Sequence, residues 1–257
     1  MTAPGPLIDH GRMLEVVGIE GELLISAAEA ALPEAAGNPV PGCPGLTLGE
    51  TVRHVGSVYR VTRHWVAEGA PPEHWQRTPI NGDLVGFART GLQELVAELA
   101  RHDPEAPCDT WWPDNRTYGF WRRRMAHETT VHRVDVQAAA GVSVDRVDDD
   151  VALDGIDEVL FLWFGHRLGQ LGMSSPRQGA VGLSAAGRHW LAVFEPGRSI
   201  ARRVDEADVG AADAAVSADA MPLYLWMWGR APDQSVTISG DLEGAAQLWA
   251  LLRPATQ

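Results

Sequence analysis

Arg124-Met125-Ala126-His127-Glu128-Thr129-Thr130-Val131-His132 is the stretch whose reading sets the fold of this chain. Residues four apart on an α-helix differ by about 40° around its axis, so Glu128 and His132 project from one face and can grip one metal ion as a two-pronged clamp. Trp121, Met125, Glu128, His132 and Asp135 recur at helical spacing and lie along one stripe. The helix is expected from about Thr117 to Ala140, with Gly141 as its C-cap. Polar ligand types flanked by apolar residues on an inward stripe are the pattern of a metal site in a bundle core.

The same spacing rejects a zincin. That motif sets two histidines four apart with the glutamate between them as general base, whereas His127 and His132 are five apart, about 140° around the helix, and cannot share an ion. His127 is therefore read as a packing or supporting residue and Glu128 as a ligand. A third ligand must come from another helix. Of the other histidines, His10 falls in the first turn of a helix and His64 at the far end of the helix that carries His54. His74, His102, His166 and His189 fall in loops or in the C-terminal part. His54 is the remaining candidate, and His54, Glu128 and His132 would make a two-histidine, one-carboxylate site with a position left open for water or substrate.

Around this stripe, the first 140 residues read as four helices separated by loops rich in proline and glycine. Helix one is expected over about Leu7 to Ala31, with Met13, Val16, Val17, Leu23, Leu24 and Ala27 at helical spacing. Thr47-Leu48-Gly49-Glu50 is a capping box that starts helix two, which carries His54 in its second turn and runs to about Glu68. Asp83 caps a third helix through about Ala100. A fifth helix is expected from Val151 to about Leu171. Beyond Gly179 the period changes to that of short strands, near 180–184, 190–195, 199–204, 214–218 and 235–239, interrupted by helices at about 220–228 and 241–252. The expected architecture is thus all-α plus α+β: a four-helix metal-binding bundle over residues 1–150, then a linking helix and a small α+β domain over 151–257.

Composition narrows the function. The chain has 257 residues, 45% of them hydrophobic, and 21 basic against 34 acidic side chains give a formal charge of −13. That balance argues against a general nucleic-acid or anionic-membrane binder and leaves a small molecule as the expected partner. No lysine occurs, so all 21 basic residues are arginine. Lysine Schiff-base chemistry and the P-loop lysine are excluded with it. Cys43 and Cys108, in loops, are expected to be free thiols. The N-terminal residues lack the pattern of a secretory signal and no long apolar span is present, so the expected compartment is the cytoplasm. Arg122-Arg123-Arg124 reads as a solvated face, and the tryptophans at 111, 112, 226 and 228 either as core and interdomain packing or as the lining of a pocket. Arg230, which follows an apolar helix and Gly229, stands where a guanidinium could grip a carboxylate, although a helix end favours a cation in any case.

These residues together resemble the mycothiol-dependent maleylpyruvate isomerase family, whose helical domain is a DinB-like bundle. Val40-Pro41-Gly42-Cys43-Pro44-Gly45, His54, Arg124 through His132-Arg133-Val134-Asp135, and Leu225-Trp226-Met227-Trp228-Gly229-Arg230 look like that family's pattern in order along nearly the whole chain. Leu46 departs from it, standing where relatives often have tryptophan. The resemblance implies zinc on His54, Glu128 and His132, mycothiol as the thiol cosubstrate, and a sterol-carrier-like C-terminal domain that supplies an arginine, here Arg230. It implies that a thiol activated by the metal adds to a small electrophile, leaving again in an isomerase and remaining attached in an S-transferase. Two alternatives stay open at this point: a hydrolase using zinc hydroxide, and a non-catalytic, metal-stapled module that binds a small ligand.

Overall fold

The structure, a computed structural model, describes residues 4–73 and 82–256; His74 lies outside the described residues. The chain forms two compact units, Ile8–Asp145 and Arg146–Gln257, the second also taking in Ala3–Leu7. Among the described residues no helix is long and apolar enough to cross a membrane.

The first unit is a bundle of α1 (His10–Ala31), α2 (Leu48–Glu68), α3 (Leu84–Ala100) and α4 (Tyr118–Ala140). Local chemistry sets each boundary. Asp9 accepts from the Arg12 amide and starts α1 three residues later than the apolar pattern implies, because the cap rather than the first apolar residue decides the start. Thr47 and Glu50 form the complete capping box at α2, Asp83 accepts from the Gly86 amide at α3, and Gly141 ends α4 in the left-handed region at φ 73°. On α1 the buried positions are Met13, Val16, Val17, Glu20, Gly21, Leu24, Ile25 and Ala28, so Leu23 and Ala27 sit just off the inward stripe. Helices α2 and α3 approach closely at Gly56, where a Cβ would lie 2.6 Å from Phe87 Cδ1 and 3.1 Å from the Ala88 backbone. Tyr59 Oη donates to Thr129 Oγ1 at 3.1 Å and ties α2 to α4.

Helix α4 is more enclosed than a single inward stripe implies. Every residue from Gly119 to Ala139 is buried except Glu128 and Ala138. This overturns the reading of Arg122-Arg123-Arg124 as a solvated face, since all three are buried. Arg122 donates to the Leu99 and His102 carbonyls at 3.0 and 2.8 Å, satisfying acceptors that the end of α3 leaves open. Arg124 turns to Glu128. Arg133, fully buried, donates to Glu20 of α1 at 2.7 Å, to Gln137 at 2.9 Å and to the Asp145 carbonyl at 2.7 Å. Arg122, Arg124 and Arg133 thus each find acceptors, several of them distant in sequence.

The second unit begins with α5 (Asp149–Glu158), which continues as a π-helical segment over Val159–Arg167 and ends in α6 (Leu168–Gln170). Five strands follow: β1 (Gly179–Ala185), β2 (Arg188–Glu195), β3 (Arg198–Arg203), β4 (Ala214–Ser217) and β5 (Thr237–Gly240). They form one sheet in the order β3-β2-β1-β4-β5, with β1 and β4 parallel and the other pairs antiparallel. Among the described residues α7 (Glu206–Gly210), absent from the sequence reading, α8 (Ala220–Met227), a 3-10 turn at Asp233–Ser235 and α9 (Leu242–Thr256) complete the unit. The β1–β2 hairpin turns through Ala186 and Gly187, both at positive φ (47° and 74°), as a tight two-residue turn of primed type requires. Asp157 joins helix to sheet, accepting from Trp190 Nε1 at 3.0 Å and from Arg203 Nε and a terminal nitrogen at 2.7 and 2.8 Å. Trp226 and Trp228 are buried in this unit and Trp112 in the first, as packing residues.

Candidate metal centre

The capping box fixes where α2 starts and so places His54 in its second turn, while the four-residue step on α4 aligns Glu128 with His132. The structure brings the three together. His54 Nε2 lies 3.2 Å and His132 Nε2 3.3 Å from the same oxygen, Glu128 Oε1. The two imidazoles meet edge to face with centroids 5.0 Å apart. Among the described residues this is the group of three whose ligand atoms could hold a metal ion, all within 4.8 Å of one another. Donors bound to a tetrahedral zinc at 2.0–2.1 Å are separated by about 3.3 Å, so the His–Glu spacings match two edges of such a polyhedron. The nitrogen and oxygen donor set also suits zinc.

Two further side chains on α4 complete the arrangement. His132 Nδ1 is 3.0 Å from Asp135 Oδ2; an ionised carboxylate only accepts, so Nδ1 carries a proton and Nε2 is the ring nitrogen that would ligate once an ion displaces its own proton. Arg124 donates to Glu128 Oε2 at 2.9 Å. Burial alone would push Glu128 toward the neutral acid, but the charge and hydrogen bond of His132, the His54 hydrogen bond and the Arg124 charge hold its carboxyl well below the usual range. Burial likewise opposes a charged His132, yet the Glu128 carboxylate and the bonds to Asp135 and Glu128 push its pKa up to about 9.

The other candidates fall elsewhere. His127 is fully buried and outside the cluster. His10 pairs with Glu105 at 3.3 Å, and His102 with Glu98 at 3.0 Å. Cys43 and Cys108 are buried and form no disulfide, and burial raises the Cys108 pKa. Arg230, in the second unit, donates through one nitrogen to the Trp228 and Thr256 carbonyls at 2.6 and 2.7 Å. Arg124 is the contributor that sequence reasoning missed as a partner of the site. The available signal was its own four-residue step to Glu128.

A four-helix bundle with a histidine–glutamate–histidine cluster between α2 and α4, followed by an α+β unit, defines the class. Residues 19–137 match the family model of the mycothiol maleylpyruvate isomerase N-terminal domain. Two solved structures share the fold along the chain. The crystal structure of the mycothiol-dependent maleylpyruvate isomerase aligns at a TM-score of 0.61 and 14% identity, over 94% of this chain and 98% of that one. A histidine-to-alanine mutant of that isomerase aligns at 0.61 and 13% over the same shares. No curated protein sequence matches the chain.

Proposed function

We propose that the chain is a metal-dependent enzyme that activates a low-molecular-weight thiol, mycothiol by family, for addition to a small electrophile, as a maleylpyruvate-type cis–trans isomerase or an S-transferase. The observation that supports this reading is the convergence of His54 and His132 on one oxygen of Glu128, within the residues that match the isomerase family model. Zinc held by these three side chains would leave a coordination position open and favour the thiolate of a thiol placed there. The protein then needs no cysteine of its own, in keeping with the burial of Cys43 and Cys108. Glu128 remains ionised without further change, and Asp135 keeps the His132 ring in the ligating tautomer. Arg230 is the residue proposed to neutralise the carboxylate or enolate of the acceptor.

The test is elemental analysis of untagged protein before and after chelator dialysis, combined with turnover of maleylpyruvate with and without mycothiol. About one zinc per chain is expected, with conversion lost on chelation and restored by zinc. Failure of the reconstituted protein to hold metal, or turnover indifferent to thiol, would overturn the proposal.

A further inference from the structure

The two carboxylate oxygens of Glu128 have divided duties. Oε1 faces both histidines at 3.2 and 3.3 Å, whereas Oε2 is held by the Arg124 guanidinium at 2.9 Å. We propose that Arg124 is a positioning residue for the metal centre: by occupying Oε2 it restricts Glu128 to ligation through Oε1 alone and so keeps a coordination position open. This rests on the metal-site reading above and extends it to a side chain that would not itself touch the ion.

A carboxylate can meet a cation with one oxygen or with both. Two histidines and a one-oxygen glutamate give three protein donors, the count of an open catalytic site; a two-oxygen glutamate gives four, the count of a closed structural one. A charge-assisted hydrogen bond from a guanidinium is among the strong ones, and it competes directly for the second oxygen. The helix makes that competition permanent. Arg124 and Glu128 are one four-residue step apart on α4, with side chains only 4% and 16% exposed, so neither is released readily to water. Burying a cation beside the seat of another cation is costly and is justified where an ionised acceptor lies between them. Within the arginine triplet the contacts diverge accordingly: Arg122 serves the carbonyls of α3, and Arg124 serves Glu128.

The experiment replaces zinc with cobalt(II) in the full chain and compares how the visible d–d bands of wild type and Arg124→Met respond to an added small thiol, which can bind only where a coordination position is open. Wild type is expected to take up one cobalt with bands that shift on thiol addition, and Arg124→Met to retain cobalt with bands that the thiol leaves unmoved. A wild-type response in Arg124→Met would overturn the role of Arg124. No cobalt uptake by wild type would instead overturn the metal reading beneath it. Should the variant fail to fold, the infrared difference between metal-loaded and metal-free wild type decides: one-oxygen ligation widens the separation of the asymmetric and symmetric carboxylate stretches. A narrow separation would overturn the proposal.

Discussion

His132 and Asp135 are joined at 3.0 Å through Nδ1, which turns the opposite ring nitrogen of His132 toward Glu128 Oε1. Asp135 is 1% exposed, so its carboxylate is a fixed element of the helix rather than a mobile surface charge. Loss of such a supporting partner typically costs about 10- to 100-fold in metal affinity. Asp135→Asn is therefore expected to weaken zinc by a factor in that range while leaving about one zinc per chain at saturation. Competition against a chromophoric chelator measures it; unchanged affinity would remove Asp135 from the site.

The histidines are expected to behave differently from their partner. His54→Ala together with His132→Ala removes two of three donors and should abolish stoichiometric zinc, and Glu128→Gln should weaken it. The His54 side chain is 37% exposed, so its truncation opens little core and the helical circular-dichroism signal should persist. Full zinc content in the double variant would refute the assignment of the site.

Arg230 offers a test of a separate role. Its partners are carbonyls of its own unit, and the metal cluster lies within the other unit. Arg230→Ala is expected to leave zinc content intact and to lower turnover, with the loss recorded as kcat/KM. Kinetics equal to wild type would reduce Arg230 to a charge at a helix end.

Most of the architecture was legible because it is written in short-range chemistry. The Thr47 and Glu50 box, the Asp83 cap and Gly141 each fix a helix boundary from a few neighbouring residues, and strict alternation marks β2. The three candidate ligands were legible because two sit one helical step apart and the third lies a set distance from a cap. The burial of Arg122 to Arg133 was not. Charge in a local window reads as solvated, whereas the acceptors that make burial tolerable include the Leu99 carbonyl and Glu20, which only tertiary packing delivers. The π-helical segment at Val159–Arg167 was read as ordinary helix because its widening leaves no mark in apolar spacing.

The β1–β2 hairpin carries a local conflict that substitution should relieve. Ala186 stands at φ 47°, where a side chain is disfavoured and where asparagine or glycine is the usual choice before Gly187. Ala186→Asn is expected to stabilise the protein by up to about 1 kcal/mol, and Ala186→Val, with a branched Cβ, to destabilise it. Urea titration of both variants checks the pair; a loss of stability in the asparagine variant would contradict the turn geometry.

The buried pair of Arg133 and Glu20 gives a sharper test of how the bundle is held together. Arg133 Nε donates to Glu20 Oε2 at 2.7 Å, with the arginine side chain fully buried and the glutamate 9% exposed. Arg133→Met would leave Glu20 as a carboxylate with its main cationic partner gone, a change that costs about 3–5 kcal/mol when the pair is buried. The same substitution also strips hydrogen bonds from Gln137 and the Asp145 carbonyl, so the measured loss should lie toward the upper end of that range. Neutralising both partners tests the cause. In Arg133→Met with Glu20→Gln the uncompensated charge is absent, and stability should recover in part relative to Arg133→Met alone. A double-mutant cycle by urea denaturation reads this directly; strict additivity of the two single losses would mean that the pair does not couple α1 to α4 and that packing alone joins them.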